Sequence, residues 1–148
     1  MLDYKPISYD TANFLIVDDD IVSIKSIQRA MKKLNICNPV TIARDGIEAI
    51  ETLNSSFDSA HGLPPFIVTL DLNMPRMDGH TFLEEIRKNE RFKKLVVFVL
   101  TSSDAQNDIA RAYEKNIAGY IVKEDPVNSL KRALTMLDGY ANLVILPK

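Results

Sequence analysis

The sequence predicts an α/β fold in which five parallel strands form one sheet with helices on both faces. Three observations carry that reading. Short apolar runs alternate with helix-periodic segments five times along the chain. The fourth run, residues 95–100, is apolar throughout, as in a strand covered on both sides. The chain has 148 residues, 46% hydrophobic and 26% charged, which is the length and composition of one ordinary domain. Strand–helix–strand units of this kind cross over right-handed. The flavodoxin-like doubly wound sheet, with strand order 2-1-3-4-5, is the common solution for five of them.

The elements follow in order. Phe14-Leu15-Ile16-Val17 is the first strand run, and Ile24, Ile27, Met31 and Leu34 mark one helix face after it. Val40-Thr41-Ile42-Ala43 is the second run. Arg44-Asp45-Gly46 then reads as a turn and helix start, with Ile47, Ile50 and Leu53 inward. A polar loop, residues 54–65, ends in two prolines. Phe66-Ile67-Val68-Thr69-Leu70 is the third run, and a Pro/Gly turn leads to a helix carrying Phe82, Leu83 and Ile86. After the fourth run, Ser103 and Gln106 have the spacing of a capping box, with a helix expected to about Asn116. Tyr120-Ile121-Val122 is the fifth run. Asp125-Pro126 reads as the start of a last helix that buries Val127, Leu130, Leu134 and Leu137. Residues 1–12 are expected to form an arm, 13–140 the domain, and 141–148 an apolar tail, with no further output domain.

Composition removes several function classes. Eighteen basic and 20 acidic residues give a net charge of −2, and no basic stripe appears, so direct nucleic-acid binding is not expected. Cys37 is the single cysteine, which excludes an internal disulfide and a cysteine-rich metal site. It reads as a small, semi-buried apolar residue. The N-terminus lacks the pattern of a signal peptide, and no apolar run approaches the ~20 residues that span a bilayer. No membrane association is expected, and the cytoplasm is the expected location.

Ligands of open parallel sheets bind beyond the carboxyl ends of the strands. Asp18, Asp19 and Asp20 follow the first run, Asp71 the third, Thr101 the fourth and Lys123 the fifth. Three kinds of group, carboxylate, hydroxyl and ammonium, therefore converge on one rim. Clustered carboxylates repel unless a cation intervenes, and magnesium favours a few carboxylates together with waters and phosphate. A carboxylate can attack a phosphoryl group to form an aspartyl phosphate. Catalysis of that transfer is mostly positioning and charge stabilisation, which a cation, an ammonium and a hydroxyl supply. The set fits phosphoryl transfer to Asp71.

With these residues in place, the chain resembles the receiver domain family of bacterial response regulators over about residues 13–140. The matching segments are Leu15-Ile16-Val17-Asp18-Asp19-Asp20, Asp45-Gly46-Ile47-Glu48-Ala49, Leu70-Asp71-Leu72-Asn73-Met74-Pro75 with Asp78-Gly79, Leu100-Thr101-Ser102, and Ala118-Gly119-Tyr120-Ile121-Val122-Lys123. The loop before the third strand, and the tail with Val144-Ile145-Leu146-Pro147, look like the phytochrome-associated stand-alone regulators.

The resemblance implies roles. Asp71 is the phosphoacceptor. Asp19 and Asp71 ligate Mg2+ together with the backbone carbonyl of Asn73, and Asp18 acts nearby through water. Lys123 pairs with phosphoryl oxygens. Thr101 and Tyr120 are the switch residues, and Asn73 and Ser103 tune the lifetime of the phosphoryl group. Asp20 is a helix cap. Most receivers follow the lysine with proline, whereas Lys123 is followed by Glu124.

The implied protein accepts its phosphoryl group from a sensor histidine kinase, such as a phytochrome, or from a histidine phosphotransfer protein. It passes the signal to a downstream protein by docking, and catalyses only its own phosphorylation and dephosphorylation. The apolar tail is expected to cover a second copy, giving a homodimer built on the last helix and the tail, with packing on its own domain as the alternative. The main alternative is a phosphatase of haloacid-dehalogenase type, which places a second Asp two residues after its nucleophile, where this chain has Asn73. A flavin-binding module would need a phosphate loop after the first strand, and that position is acidic.

Overall fold

A computed structural model describes residues 5–123 and 128–147. Strands and helices alternate as β1 (Asn13–Val17), α1 (Ile21–Lys33), β2 (Val40–Ala43), α2 (Gly46–Ser56), β3 (Phe66–Leu70), α3 (Gly79–Lys88), β4 (Val96–Thr101), α4 (Gln106–Glu114), β5 (Gly119–Val122) and α5 (Asn128–Leu143). The strands form one parallel sheet in the expected order, β2-β1-β3-β4-β5. The fold is therefore the flavodoxin-like doubly wound sheet.

Alternation along each strand builds two core layers. Leu15, Val17, Val68, Leu70, Val97 and Val99 face one side, where they meet Leu53, Phe82, Leu83 and Ile86 of α2 and α3. Phe14, Ile16, Ile67, Phe98 and Leu100 face the other, against Ile27 and Met31 of α1 and Leu130, Leu134 and Leu137 of α5. Tyr140 sets its ring edge-on to Phe98, with centroids 5.2 Å apart. Among the described residues, no helix is long and apolar enough to cross a membrane.

Several local expectations change. Cys37 is exposed, not semi-buried. Asn35 takes a left-handed φ of 55°, which turns Ile36 into the core and leaves Cys37 outside. In α2 the innermost residues are Ala49 and Leu53, whereas Ile47 and Ile50 are half-buried. That helix also runs three residues into the expected loop, to Ser56. Ser103 and Gln106 form no capping box: the N-cap of α4 is Ala105, which makes no side-chain cap bond. The Ser103 hydroxyl instead donates to Asp108, a stronger acceptor because it is ionised. Helix α4 ends at Glu114, with Asn116 in the left-handed region just beyond. Helix α5 continues past residue 140 to Leu143. Glu124, the Asp125-Pro126 helix start and Val127 lie outside the described residues.

The arm is tied down where described. The Asn13 side chain, fully buried, accepts from the Ser8 N–H at 2.7 Å and donates to the carbonyls of Ser8 and Pro65. At the other side of the fold, Arg87 of α3 gathers four carbonyls. Its Nε donates to Lys115 O at 2.6 Å, its Nη1 to Lys93 O and Leu95 O at 2.9 Å, and its Nη2 to Asn116 O at 3.1 Å. One guanidinium thus joins the end of α4 to the turn that feeds β4. Arg87→Ala removes all four donors and leaves several carbonyls under-satisfied. A loss of about 2–3 kcal/mol is expected, read as a lower midpoint in urea unfolding with an unchanged slope.

Candidate functional site

The site is built where the strands stop. Three backbone bonds continue the sheet one residue past its ends. Asp18 N–H donates to Ala43 O at 3.0 Å, Asp71 N–H to Val17 O at 2.9 Å, and Lys123 N–H to Thr101 O at 2.8 Å. The backbones of the chemistry-bearing residues are therefore as fixed as the strands themselves.

Asp18, Asp19 and Asp71 each offer a carboxylate oxygen, and these oxygens lie within 4.8 Å of one another. Asp18 is buried. Its Oδ1 accepts from Asp20 N–H at 2.9 Å and its Oδ2 from Lys123 Nζ at 3.0 Å. Asp19 is half-buried, and its carbonyl accepts from Arg44 at 3.0 Å. Asp20 caps α1, with its side chain accepting from Val22 N–H at 3.0 Å, as expected. Thr101 is fully buried, and its hydroxyl donates to Asp71 Oδ1 at 2.9 Å. Asn73 is exposed, and its N–H approaches the same Asp71 oxygen at 3.5 Å. Lys123 reaches the acidic cluster although Glu124 stands where proline usually does.

The loop from Asp71 to α3 is held from both sides. Gly79 packs against the strand end so closely that a Cβ there would lie 2.6 Å from Asp71 O and 2.7 Å from Leu72 Cα. On the outer side, Arg76 donates to Asp45, the N-cap of α2, at 2.6 Å, and Met77 O accepts from Gly46 N–H at 3.1 Å. Arg76 adopts a left-handed φ of 60° to do so.

Tyr120 and Ser103 meet at the neighbouring edge, where the Tyr120 hydroxyl donates to Ser103 O at 2.9 Å. Three polar residues escaped the sequence reading. Ser23 accepts from Lys123 Nζ at 3.2 Å, and its place one turn beyond Asp19 was the available signal. His80 and Asp108 pair with each other at 2.9 Å, and Asp108 also accepts from Ser103 at 2.6 Å. A histidine directly after Asp78-Gly79, on a helix otherwise apolar inward, was the signal there.

Burial pushes the Asp71 carboxyl above its ordinary value of 3.8, and the charge of Asp18 pushes it further. The Thr101 hydroxyl, Lys123 and the Asn73 N–H oppose this and only partly offset it. A carboxylate set of this kind, with hard oxygen donors and unrelieved like charge, suits a small divalent cation.

Residues 14–135 match the family model for the response regulator receiver domain. The chain belongs to that family, whose members are signalling regulators of two-component systems. Its relatives include the response regulator Rcp1 of Synechocystis sp., 31% identical over 84% of this chain and 83% of that protein. A probable methanogenesis regulatory protein, FilR2 of Methanothrix harundinacea, is 32% identical over 85% of this chain and 81% of its own length. Among solved structures, the phosphorylated cyanobacterial phytochrome response regulator RcpA superposes with a TM-score of 0.79 at 28% identity, covering 92% of this chain and 98% of that one. The Mn2+-bound form of Rcp1 gives 0.78 at 28% identity, covering 92% and 99%.

The electrostatics generate a stability prediction. An acid whose folded value is raised binds its proton more tightly when folded, so it favours the fold at low pH. That contribution is lost as pH rises from 3.8 through the folded value. Asp71→Asn is therefore expected to raise the metal-free melting temperature at neutral pH, with the gain disappearing below about pH 4. Thermal scans in chelator at several pH values check this. A lower melting temperature for the variant at pH 7 would contradict it.

Proposed function

We propose that Asp71 is the phosphoacceptor of this receiver. The observation that carries the reading is the position of its carboxylate, at the end of the central strand, bonded to Thr101 and within the three-aspartate cluster. In the proposed reaction a carboxylate oxygen of Asp71 attacks the phosphorus of a phosphohistidine. The new P–O bond forms as the P–N bond breaks, and the electron pair of that bond returns to the imidazole, which takes up a proton. Lys123 and the Thr101 hydroxyl supply positive charge and a donor to the phosphoryl oxygens. Asp19, Asp71 and the Asn73 carbonyl would hold Mg2+, with Asp18 acting through water. When bound, the ion neutralises the charge that accumulates on the carboxylates and the phosphoryl group. Its fit rests on the oxygen-only donor set and on the metal-bound form of the similar Rcp1.

The donor is a sensor histidine kinase or a histidine phosphotransfer protein in the cytoplasm. The similarity to Rcp1 and RcpA favours a phytochrome among kinases. Phosphorylation changes what Thr101 and Tyr120 bond, and the altered edge docks a downstream protein. Beyond its own phosphorylation and dephosphorylation the chain processes no substrate. Asn73 approaches the acceptor directly and Ser103 approaches Thr101, and the two would govern the access of water to it.

Incubation with acetyl phosphate and magnesium, read by intact mass, tests the assignment. The parent gains one phosphoryl group, while Asp71→Asn and the parent in chelator gain none. Undiminished labelling of Asp71→Asn would reject the phosphoacceptor. Asp19→Asn is expected to weaken magnesium binding at least tenfold, about 1.4 kcal/mol.

The end of α5 supports the homodimer as part of the same reading. Leu143 and Ile145 are 85% and 94% exposed, and Met136 is also exposed, whereas Leu146 packs back on the layer shared by α1 and α5. Leu143 and Ile145 would be covered by a second copy. Sedimentation is expected to show a dimer for the full chain and a monomer for a version ending at Asn142. A full-length monomer at tens of micromolar, phosphorylated or not, would defeat the dimer.

A further inference from the structure

A second polar cluster lies beside the acidic site and is bonded to it. His80, the second residue of α3, is 7% exposed, and its Nε2 donates to Asp108 Oδ1 at 2.9 Å. Asp108 lies in the first turn of α4. Its other oxygen accepts the Ser103 hydroxyl at 2.6 Å. The Ser103 carbonyl accepts from Tyr120 at 2.9 Å, and the Ser103 N–H approaches Thr101 Oγ1 at 3.5 Å. Thr101 in turn donates to Asp71. Polar contacts thus run without a gap from a buried imidazole to both Tyr120 and Asp71.

An apolar side chain at position 80 would pack the same space without a desolvation cost. What the imidazole adds is a fixed orientation for the Asp108 carboxylate, and what Asp108 holds is a loop residue. The bonds from Ser103 and His80 keep the Asp108 carboxyl below the usual carboxylate range, so it remains an ionised acceptor. Because the single hydroxyl proton of Ser103 is committed to Asp108, it is not available toward Asp71.

We propose that His80 and Asp108 are positioning residues of the switch. Acting through Ser103, they fix the β4–α4 loop so that its carbonyl meets Tyr120 and its hydroxyl is held away from Asp71. The consequence for phosphoryl lifetime rests on Asp71 being the phosphoacceptor; the consequence for Tyr120 does not.

The test uses the full chain labelled with 3-fluorotyrosine. Five tyrosines give five fluorine resonances, and Tyr120→Phe assigns the one of interest. In the unphosphorylated protein, Asp108→Ala, Ser103→Ala and His80→Phe are each expected to shift the Tyr120 resonance. The double variant Ser103→Ala/Asp108→Ala should shift it no further than either single change, because both break one chain. Asp108→Asn, whose amide oxygen still accepts from Ser103, should restore it. After phosphorylation, Asp108→Ala should lose its phosphoryl group about fivefold faster, the worth of one hydrogen bond. An unshifted Tyr120 resonance in Asp108→Ala that melts as the parent does would overturn the clasp. Hydrolysis at the parental rate would overturn its hold on the Ser103 hydroxyl. If no version accepts phosphate, the phosphoacceptor reading falls and the fluorine spectra still decide the clasp.

Discussion

The ion pair between Lys123 and Asp18 is the contact on which the rest of the site depends. Parallel strands of similar length end at one rim, and here that rim delivers several carboxylates into a partly dry space. Left alone, such groups repel and take up protons. Lys123 arrives from the last strand, across the sheet order from Asp18, and neutralises the most buried of them at 3.0 Å. The pair is fully compensated: Asp18 also accepts a backbone N–H, and Lys123 also donates to Ser23. That completeness matters, because a buried charge missing its partner is strongly destabilising. With Asp18 occupied, the remaining tension falls on Asp71, which is bonded to Thr101 and still held above its ordinary value. Asp71 is therefore the group whose charge the fold leaves unsatisfied.

The backbone makes this placement permanent. Asp18, Asp71 and Lys123 each extend the sheet ladder by one bond. The loop after Asp71 is pressed inward by the missing side chain of Gly79 and pinned outward by Arg76 and Asp45. Arg87 does comparable work at the far end of α3 and α4. Among the described residues, the β4–α4 loop has no such backbone anchor. It is held by side chains, chiefly Ser103 on Asp108, and side-chain contacts are easier to exchange than ladder bonds.

The sheet was legible because its signals are local. Apolar runs marked β2 and β3 to the residue. Asp20 and Asp45 read as helix starts because a short acid before an apolar-periodic segment has few other uses. The rim residues were legible because fold class alone puts strand ends together. Bonds between elements distant in sequence were not legible. Ser103 and Gln106 have the spacing of a capping box, but a carboxylate five residues on from Ser103 competes for the hydroxyl and wins. Cys37 lies in an apolar run, and only the left-handed turn at Asn35 decides which neighbour goes inside. His80 escaped notice because its partner, Asp108, stands 28 residues later on α4.

These contacts divide the rim into a part that holds still and a part able to move. On the α2 side, Arg76, Asp45 and Gly46 lock the Asp71–α3 loop with one charged and one backbone bond. On the α4 side, Thr101 and Ser103 share one short stretch, with Thr101 bonded to Asp71 and Ser103 O accepting from Tyr120. The Ser103 N–H approaches the Thr101 hydroxyl at 3.5 Å, so the same stretch touches both bonds. The Tyr120 hydroxyl is bonded at the other end of that stretch, to the Ser103 carbonyl. The fold thus places a charge-sensitive oxygen and a bulky aromatic at opposite ends of two residues of chain.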